Sequence, residues 1–290
     1  MTTVTEAPPT APPTPAAPPP PRRLRLGKRL VSALYAVGLP LVLTALWALA
    51  VRQQWQLPLG IDMRFVPSPA EVVARIADLA VGSGEATSGM LWRHTAASAL
   101  RVLNGFLVAA ALAIPLGLLI GRIRVVERLL DSTVGLLRPI PVTAWAPLAL
   151  LLIGFGDRST IFLIVLAAFF PILVNTIAGA SAVSPRLLEA AAMLGTPAWK
   201  TFFTVVLPSS MRSITAGLRV GLGLAWVVLV VGETVGIRTG LGALITQARD
   251  MSRTDTIVAG MIVIGLAGLA SDRLLTLTLR AATRNRPGLV

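Results

Sequence analysis

The chain has 290 residues, of which 54% are hydrophobic and only 13% charged, and its mean hydropathy is +0.77. Soluble domains carry about 25% charged residues, so a water-soluble globule is excluded, and several apolar runs reach the about 20 helical residues that cross a bilayer. The net charge of +13 does not argue for nucleic acid, because most basic residues flank apolar spans, where topogenic charge sits beside lipid headgroups. The absence of cysteine excludes disulfides, thiol catalysis and thiolate metal sites.

Residues 1–21 hold nine prolines among Ala and Thr, a composition that buries no core and stays extended. Arg22, Arg23, Arg25, Lys28 and Arg29 follow, so residues 1–29 read as a disordered, basic cytoplasmic tail and 30–290 as the membrane domain. The first span runs from about Leu30 to Val51. A basic stretch, an apolar stretch and Ala48-Leu49-Ala50 mimic a cleavable signal, but about 20 apolar residues exceed the 7–15 of a signal core. The reading is a retained helix.

Ser68-Pro69-Ala70-Glu71 is a helix start, with Ser68 as cap, proline in the first turn and Glu71 closing a capping box. Val72, Val73, Ile76 and Leu79 then share a face, which predicts a short amphipathic helix on the membrane surface or against the bundle. Five further spans are expected near Ala96–Ile120, Leu129–Phe155, Ser159–Ala180, Ser210–Val235 and Ile257–Leu279. The third span contains Pro139, Pro141 and Pro147 and should break, since proline removes a backbone donor. In lipid a break survives only where protein or water satisfies the freed carbonyls, so this span is expected to face the bundle interior.

Six spans put both termini on one side. With the N-terminus inside, fourteen basic residues are cytoplasmic: the five of the tail, Arg122, Arg124, Arg128, Arg186, Lys200, Arg212, Arg280, Arg284 and Arg286. Eight lie outside: Arg52, Arg64, Arg75, Arg93, Arg158, Arg238, Arg249 and Arg253. The bias supports cytoplasmic termini of a multi-pass protein in the cell membrane.

Between the fourth and fifth spans lies a polar insert. Ser184-Pro185 starts a helix with Leu187, Leu188, Ala191 and Leu194 at helical spacing, and Gly195 is suited to end it. Thr196-Pro197 repeats the start signal. A second helix would put Trp199, Phe202, Phe203 and Val206 on one side, and Pro208 would end it. A capped, amphipathic helix pair needs something to pack on, whereas a plain connecting loop does not need such caps.

This insert resembles the EAA loop of ABC-transporter permease subunits, with Glu189, Ala190, Ala191, Gly195, Leu207 and Pro208 in register and Val205 where that pattern often has Ile. The likeness extends over most of residues 65–280. Val66-Pro67-Ser68-Pro69, His94 to Gly105, Arg138-Pro139-Ile140-Pro141, Asn175 to Gly179 and Gly217-Leu218-Arg219 resemble the nitrate, aliphatic sulfonate and taurine branch of the importers. The resemblance implies an all-α, type I importer permease with about six transmembrane helices. Two copies would form the pathway as a homodimer, and separate ATP-binding cassette ATPase subunits would grip the helix at Glu189–Gly195. An extracytoplasmic solute-binding protein would deliver the cargo. The chain has no Gly-x-x-x-x-Gly-Lys-[Ser/Thr] motif, so ATP hydrolysis is expected in the partner, with no catalytic residue, metal or cofactor here.

Charges inside spans are functional candidates by default: Arg101, Arg138, Arg219, Glu233 and Asp272. Arg138, Arg219 and Glu233 are the candidates for a substrate pathway, the arginines because a guanidinium fork suits a sulfonate or similar anion. The competing reading pairs Arg219 and Glu233 with partners between helices and lets Arg101 snorkel to the interface. His94, the single histidine, reads as a polar cap. Glycines at 217, 221, 223, 260, 265 and 268 read as close helix packing, against a path lined by exposed backbone. The alternative function is a proton-coupled secondary carrier, although such folds show broken helices in both halves and only the third span is broken here.

Overall fold

The computed structural model describes residues 23–57, 61–82 and 89–282. The proline-rich stretch, Arg22, Arg284 and Arg286 lie outside the described residues. Eleven α-helices are described in chain order: α1 (Arg23–Arg52), α2 (Pro69–Val81), α3 (Met90–Arg122), α4 (Arg124–Leu137), α5 (Ala146–Ile153), α6 (Asp157–Ser181), α7 (Pro185–Met193), α8 (Ala198–Thr201), α9 (Leu207–Glu233), α10 (Leu241–Asp250) and α11 (Thr254–Ala282). The only described sheet is a pair of two-residue antiparallel strands, Gln56–Leu57 and Ile61–Asp62.

The bundle is built on α6, which lies between α3 and α9 and holds most of its contacts with those two helices. Glycines set both interfaces. A Cβ on Gly105, Gly117 or Gly121 would come within 2.5–2.7 Å of Ile164, Thr176 or Ala180; the residue offset is constant, so α3 and α6 run parallel. Gly221 and Gly232 of α9 face Ile172 and Thr160 of α6, numbers that fall as the others rise, so α9 runs antiparallel. In lipid, where apolar burial gives no drive between helices, this close backbone approach is what holds them. The innermost layer is Ile164, Ala168, Ile172 and Leu173 of α6 with Ala109, Ala113, Ala225 and Leu229 of its neighbours, none more than 0% exposed.

Four helical segments are long and apolar enough to span a bilayer: Met90–Arg122, Asp157–Ser181, Ala198–Glu233 and Thr254–Ala281. Arg124–Leu137 with Val142–Ile153 makes a fifth if counted as one span bent by 84°. The proline break expected in the third span is therefore present, at Arg138 to Pro141 between α4 and the short 3-10 turn Val142–Trp145. Its surroundings differ from expectation. Pro139, Ile140 and Pro141 are exposed in the single chain, while α5 packs Ala146 and Ala149 against α6. The expected first span corresponds to α1, but only Gly38–Arg52 of it counts as an apolar helix among the described residues, and that piece is too short to span alone.

The capping box before α2 forms as read: the Ser68 N–H donates to Glu71 Oε2 at 2.8 Å and the Glu71 N–H to Ser68 Oγ at 3.3 Å. This helix lies against the bundle, on α11 and α3, through Val72 and Leu79; Val73, expected on the same face, points out at 66% exposure. Pro208 does not end a helix. It sits in the first turn of α9, and Ala198 to Glu233 form one helical run of 36 residues. A π turn at Phe202–Val206 joins α8 to α9, and the widened hydrogen-bond register there absorbs the donor that proline lacks.

Candidate functional site

The insert between α6 and α9 closes one end of the bundle. Ser184 precedes Pro185, but its hydroxyl makes no capping bond, so proline alone marks the start. Gly195 takes φ +65°, the left-handed conformation in which glycine has no steric cost. Its N–H donates to the Ala192 carbonyl (2.9 Å), and the Thr196 N–H to that of Ala191 (3.0 Å), tying off the last turn of α7. Ala191 faces inward, while Glu189, Ala190 and Ala192 face out. Leu207 and Pro208 are half-buried in the continuing helix. Only Phe202 and Val206 of the expected inward face turn to the bundle.

The outer side of this element is apolar. Leu187, Met193, Leu194, Trp199 and Phe203 are between 50% and 87% exposed. Small alanines around Glu189 leave the α7 backbone approachable, and several large apolar side chains exposed on one short element suit an interaction surface.

At the opposite end of the bundle lies a buried polar cluster. Glu233, at the C-terminus of α9, is fully buried. Arg101 Nη1 donates to its Oε1 at 2.6 Å and to the Thr239 carbonyl at 2.7 Å, while Arg101 Nε reaches Asp157 Oδ1 at 2.9 Å. Ser98 Oγ lies 2.8 and 2.9 Å from the two Glu233 oxygens, and the N–H groups of Gly242 and Leu241 donate to Glu233 Oε2 and Ser98 Oγ, each at 2.8 Å. His94 Nδ1 lies 3.0 Å from the Gly240 nitrogen and 2.7 Å from its oxygen, and Nε2 is buried without a partner. The cluster fastens α3, the start of α6, the end of α9 and the start of α10 to one another. A buried charge persists only when it is paired and hydrogen-bonded, and here every oxygen of Glu233 is engaged.

Arg101 therefore does not snorkel; it is 6% exposed and spans two carboxylates. Arg219 pairs with Asp272 of α11, Nε to Oδ1 and Nη2 to Oδ2, both at 2.8 Å. Glu233 and Asp272 thus have separate arginine partners. Arg138 is exposed at the end of α4, beside the proline break. The pathway candidates are not gathered in one place: Arg138 sits at the break, Arg219 mid-helix and Glu233 in the buried cluster. Sequence reading missed Ser98, Asp157 and the backbone of residues 239–242. One signal was available, since His94, Ser98 and Arg101 follow i, i+4, i+7 spacing and so share a helix face.

Residues 113–283 match the family described as binding-protein-dependent transport system inner membrane component. The chain belongs to that family. A relative from Methanocaldococcus jannaschii, named as an ABC transporter permease protein, is 49% identical over 64% of this chain and 70% of its own length. The taurine transport system permease protein of Escherichia coli is 34% identical over 85% of this chain and 86% of its own. The nitrate import permease protein of Synechocystis is 32% identical over 76% and 81%. The permease is thus a multi-pass, all-helical membrane protein of the importer branch anticipated from its insert. The family match takes in the whole α7–α9 element and Glu233, whereas His94, Ser98 and Arg101 lie before it.

Proposed function

We propose that this permease forms, as a homodimer, the translocation pathway of an ATP-driven importer for a small anion such as a sulfonate, taurine or nitrate. Separate ATP-binding cassette subunits dock on the α7 element through Glu189, Ala190, Ala191 and Gly195, with Leu207 and Pro208 carrying the motion into α9. A solute-binding protein delivers cargo at the other end. The observation that carries this reading is the exposed apolar surface on α7 and α8, held in shape by the left-handed Gly195. The fourteen-to-eight charge bias supports a cytoplasmic position for that end, with both termini inside. The named cargoes of the relatives support a small anion.

The motor's push has a direct route. Ala198 to Glu233 is one helical run, about 54 Å at 1.5 Å per residue, joining the coupling surface to the far cluster. Glu233 acts on the pathway through that cluster, by holding α10 and α3 to the end of α9. Arg138 and Arg219 carry the electrostatic attraction for an anion. No observation favours the proton-coupled carrier, since Glu233 and Asp272 are each paired with an arginine.

The test is co-purification with ATP-binding subunits of the same genome, comparing wild type with Gly195→Asp. Wild type should retain an ATPase in detergent, and the variant should lose it or uncouple hydrolysis. Failure of any ATPase to bind wild type would sink the proposal. For the anion, Arg138→Ala should weaken uptake while leaving assembly intact.

A further inference from the structure

The helical run from α8 into α9 changes its hydrogen-bond register in the π turn Phe202–Val206, where the Leu207 N–H donates to the Phe202 carbonyl five residues back. Pro208 explains the position of the turn. In an uninterrupted α-helix the Thr204 carbonyl would look to position 208, which has no N–H to give; a π register looks one residue further, to Ser209. Hydroxyls serve carbonyls on both sides. Thr204 Oγ1 donates to the Lys200 carbonyl at 2.7 Å and Ser210 Oγ to that of Val206 at 2.8 Å, bonds of a kind that bend helices. The turn is also a mechanical boundary. Beyond it α9 is fixed on α6, where a Cβ on Gly179 would fall 2.7 Å from Ser213 and one on Gly217 2.8 Å from Asn175. Before it, α8 has its main contacts with the π turn itself.

We propose that this turn is a two-state register switch: the π turn and an uninterrupted α-helix are alternative states of Phe202–Val206, and conversion to the α state rotates α7 and α8 against α9. The inference rests on the permease reading and adds the moving joint of its coupling element. A π turn takes up about one residue more than an α turn, so conversion turns everything before it by about 100° and shifts it about 1.5 Å along the axis. The local sequence suits both states. Phe202 packs against the bundle and Phe203 is 59% exposed, the two rings meeting edge to face at 5.2 Å. A shift of one residue seats Phe203 where Phe202 sits, so a phenylalanine ring fills the same apolar contact in either register. Packed contacts of this kind are bistable rather than continuously deformable. Pro208 biases the switch toward the π state. A partner gripping α7 opposes that bias by binding the rotated state more tightly.

The test places spin labels at Lys200→Cys and Arg212→Cys in the assembled complex with ATPase and binding protein, the permease having no native cysteine. Both positions are exposed and flank the turn. They stand about 20° apart around the helix in the π register and about 120° apart in the α register, so the α state lengthens the label separation by about 5 Å. Labelled permease with no other change should show the shorter distance without nucleotide and gain the longer one with a non-hydrolysable ATP analogue. Pro208→Ala restores the missing N–H and should show the longer distance without nucleotide. Deleting Thr204 in the Pro208→Ala background removes the extra residue, so the helix becomes α without rotation. That variant should keep the shorter distance in both conditions and bind the ATPase, with hydrolysis reduced at least tenfold. One unchanged distance with and without the analogue, or full hydrolysis by the deletion variant, overturns the switch and leaves the permease reading intact. Should the deletion variant fail to fold, the distances in the labelled parent decide alone. A complex that never assembles with an ATPase overturns that reading first, and this inference with it.

Discussion

The residue that best shows how burial and charge are reconciled is Glu233. Its carboxylate has no exposure and accepts from Arg101, Ser98 and the Gly242 N–H. Removing one partner of such a pair costs about 3–5 kcal/mol, because the other charge stays buried alone. Arg101→Met should therefore lower thermal stability in detergent steeply. Arg101→Met with Glu233→Leu should recover much of the loss, and a double variant no more stable than the single would show that the pair is not what holds this end together. Gly195 shows the other kind of constraint. A Cβ there meets nothing, so Gly195→Ala is strained by its φ of +65° alone, about 1–2 kcal/mol for a left-handed L-residue. Faster limited proteolysis within residues 184–208, with the rest of the bundle unaffected, is the expected result.

Among the elements, α6 decides the architecture, and its two interfaces are set by glycine. The frequency of glycine in the spans was plain in the sequence, but its meaning was not uniform. Gly217 and Gly221 pack, whereas Gly223 and Gly265 open a groove between α9 and α11; only the neighbour helix distinguishes them. Gly117→Leu, whose Cβ would fall 2.7 Å from Thr176, should destabilise the α3–α6 pair by the about 1–3 kcal/mol of an overpacked core. Gly265→Ala should be neutral or stabilising, by up to the about 1 kcal/mol that separates glycine from alanine in a helix. Melting temperatures of the two variants check both. The capping box of α2, the left-handed Gly195 and the break at Arg138 to Pro141 were all legible locally, because each rests on neighbours in the chain. The role given to Pro208 was misread, since a proline that ends one helix and a proline that begins the next look alike until the π turn joins them.

For the whole molecule, the exposed proline break and the apolar length of α1 are surfaces that this chain alone leaves uncovered. Leu39, Leu41, Leu43 and Leu46 are 48–63% exposed, and the described part of α1 makes its main contacts with α2 and the 3-10 turn at Met63–Phe65. Lipid covers α1 without cost, but backbone carbonyls that lose their helical donors at a proline break need protein or water. If a second copy supplies the cover, Thr143→Cys should crosslink into a dimer under oxidation. The chain has no other cysteine, so a monomeric product would count against a homodimer meeting at that break.

The sequence by itself determined the membrane class, the approximate spans, the helical insert between α6 and α9 and the family, because hydropathy, caps and the Glu189 to Pro208 spacing are local properties of consecutive residues. The tertiary structure alone decided the parallel and antiparallel faces of α6, the partners of each intramembrane charge and the groove between α9 and α11. Those depend on which helix faces arrive together, and residues as far apart as Arg101 and Glu233 meet only when three helices pack.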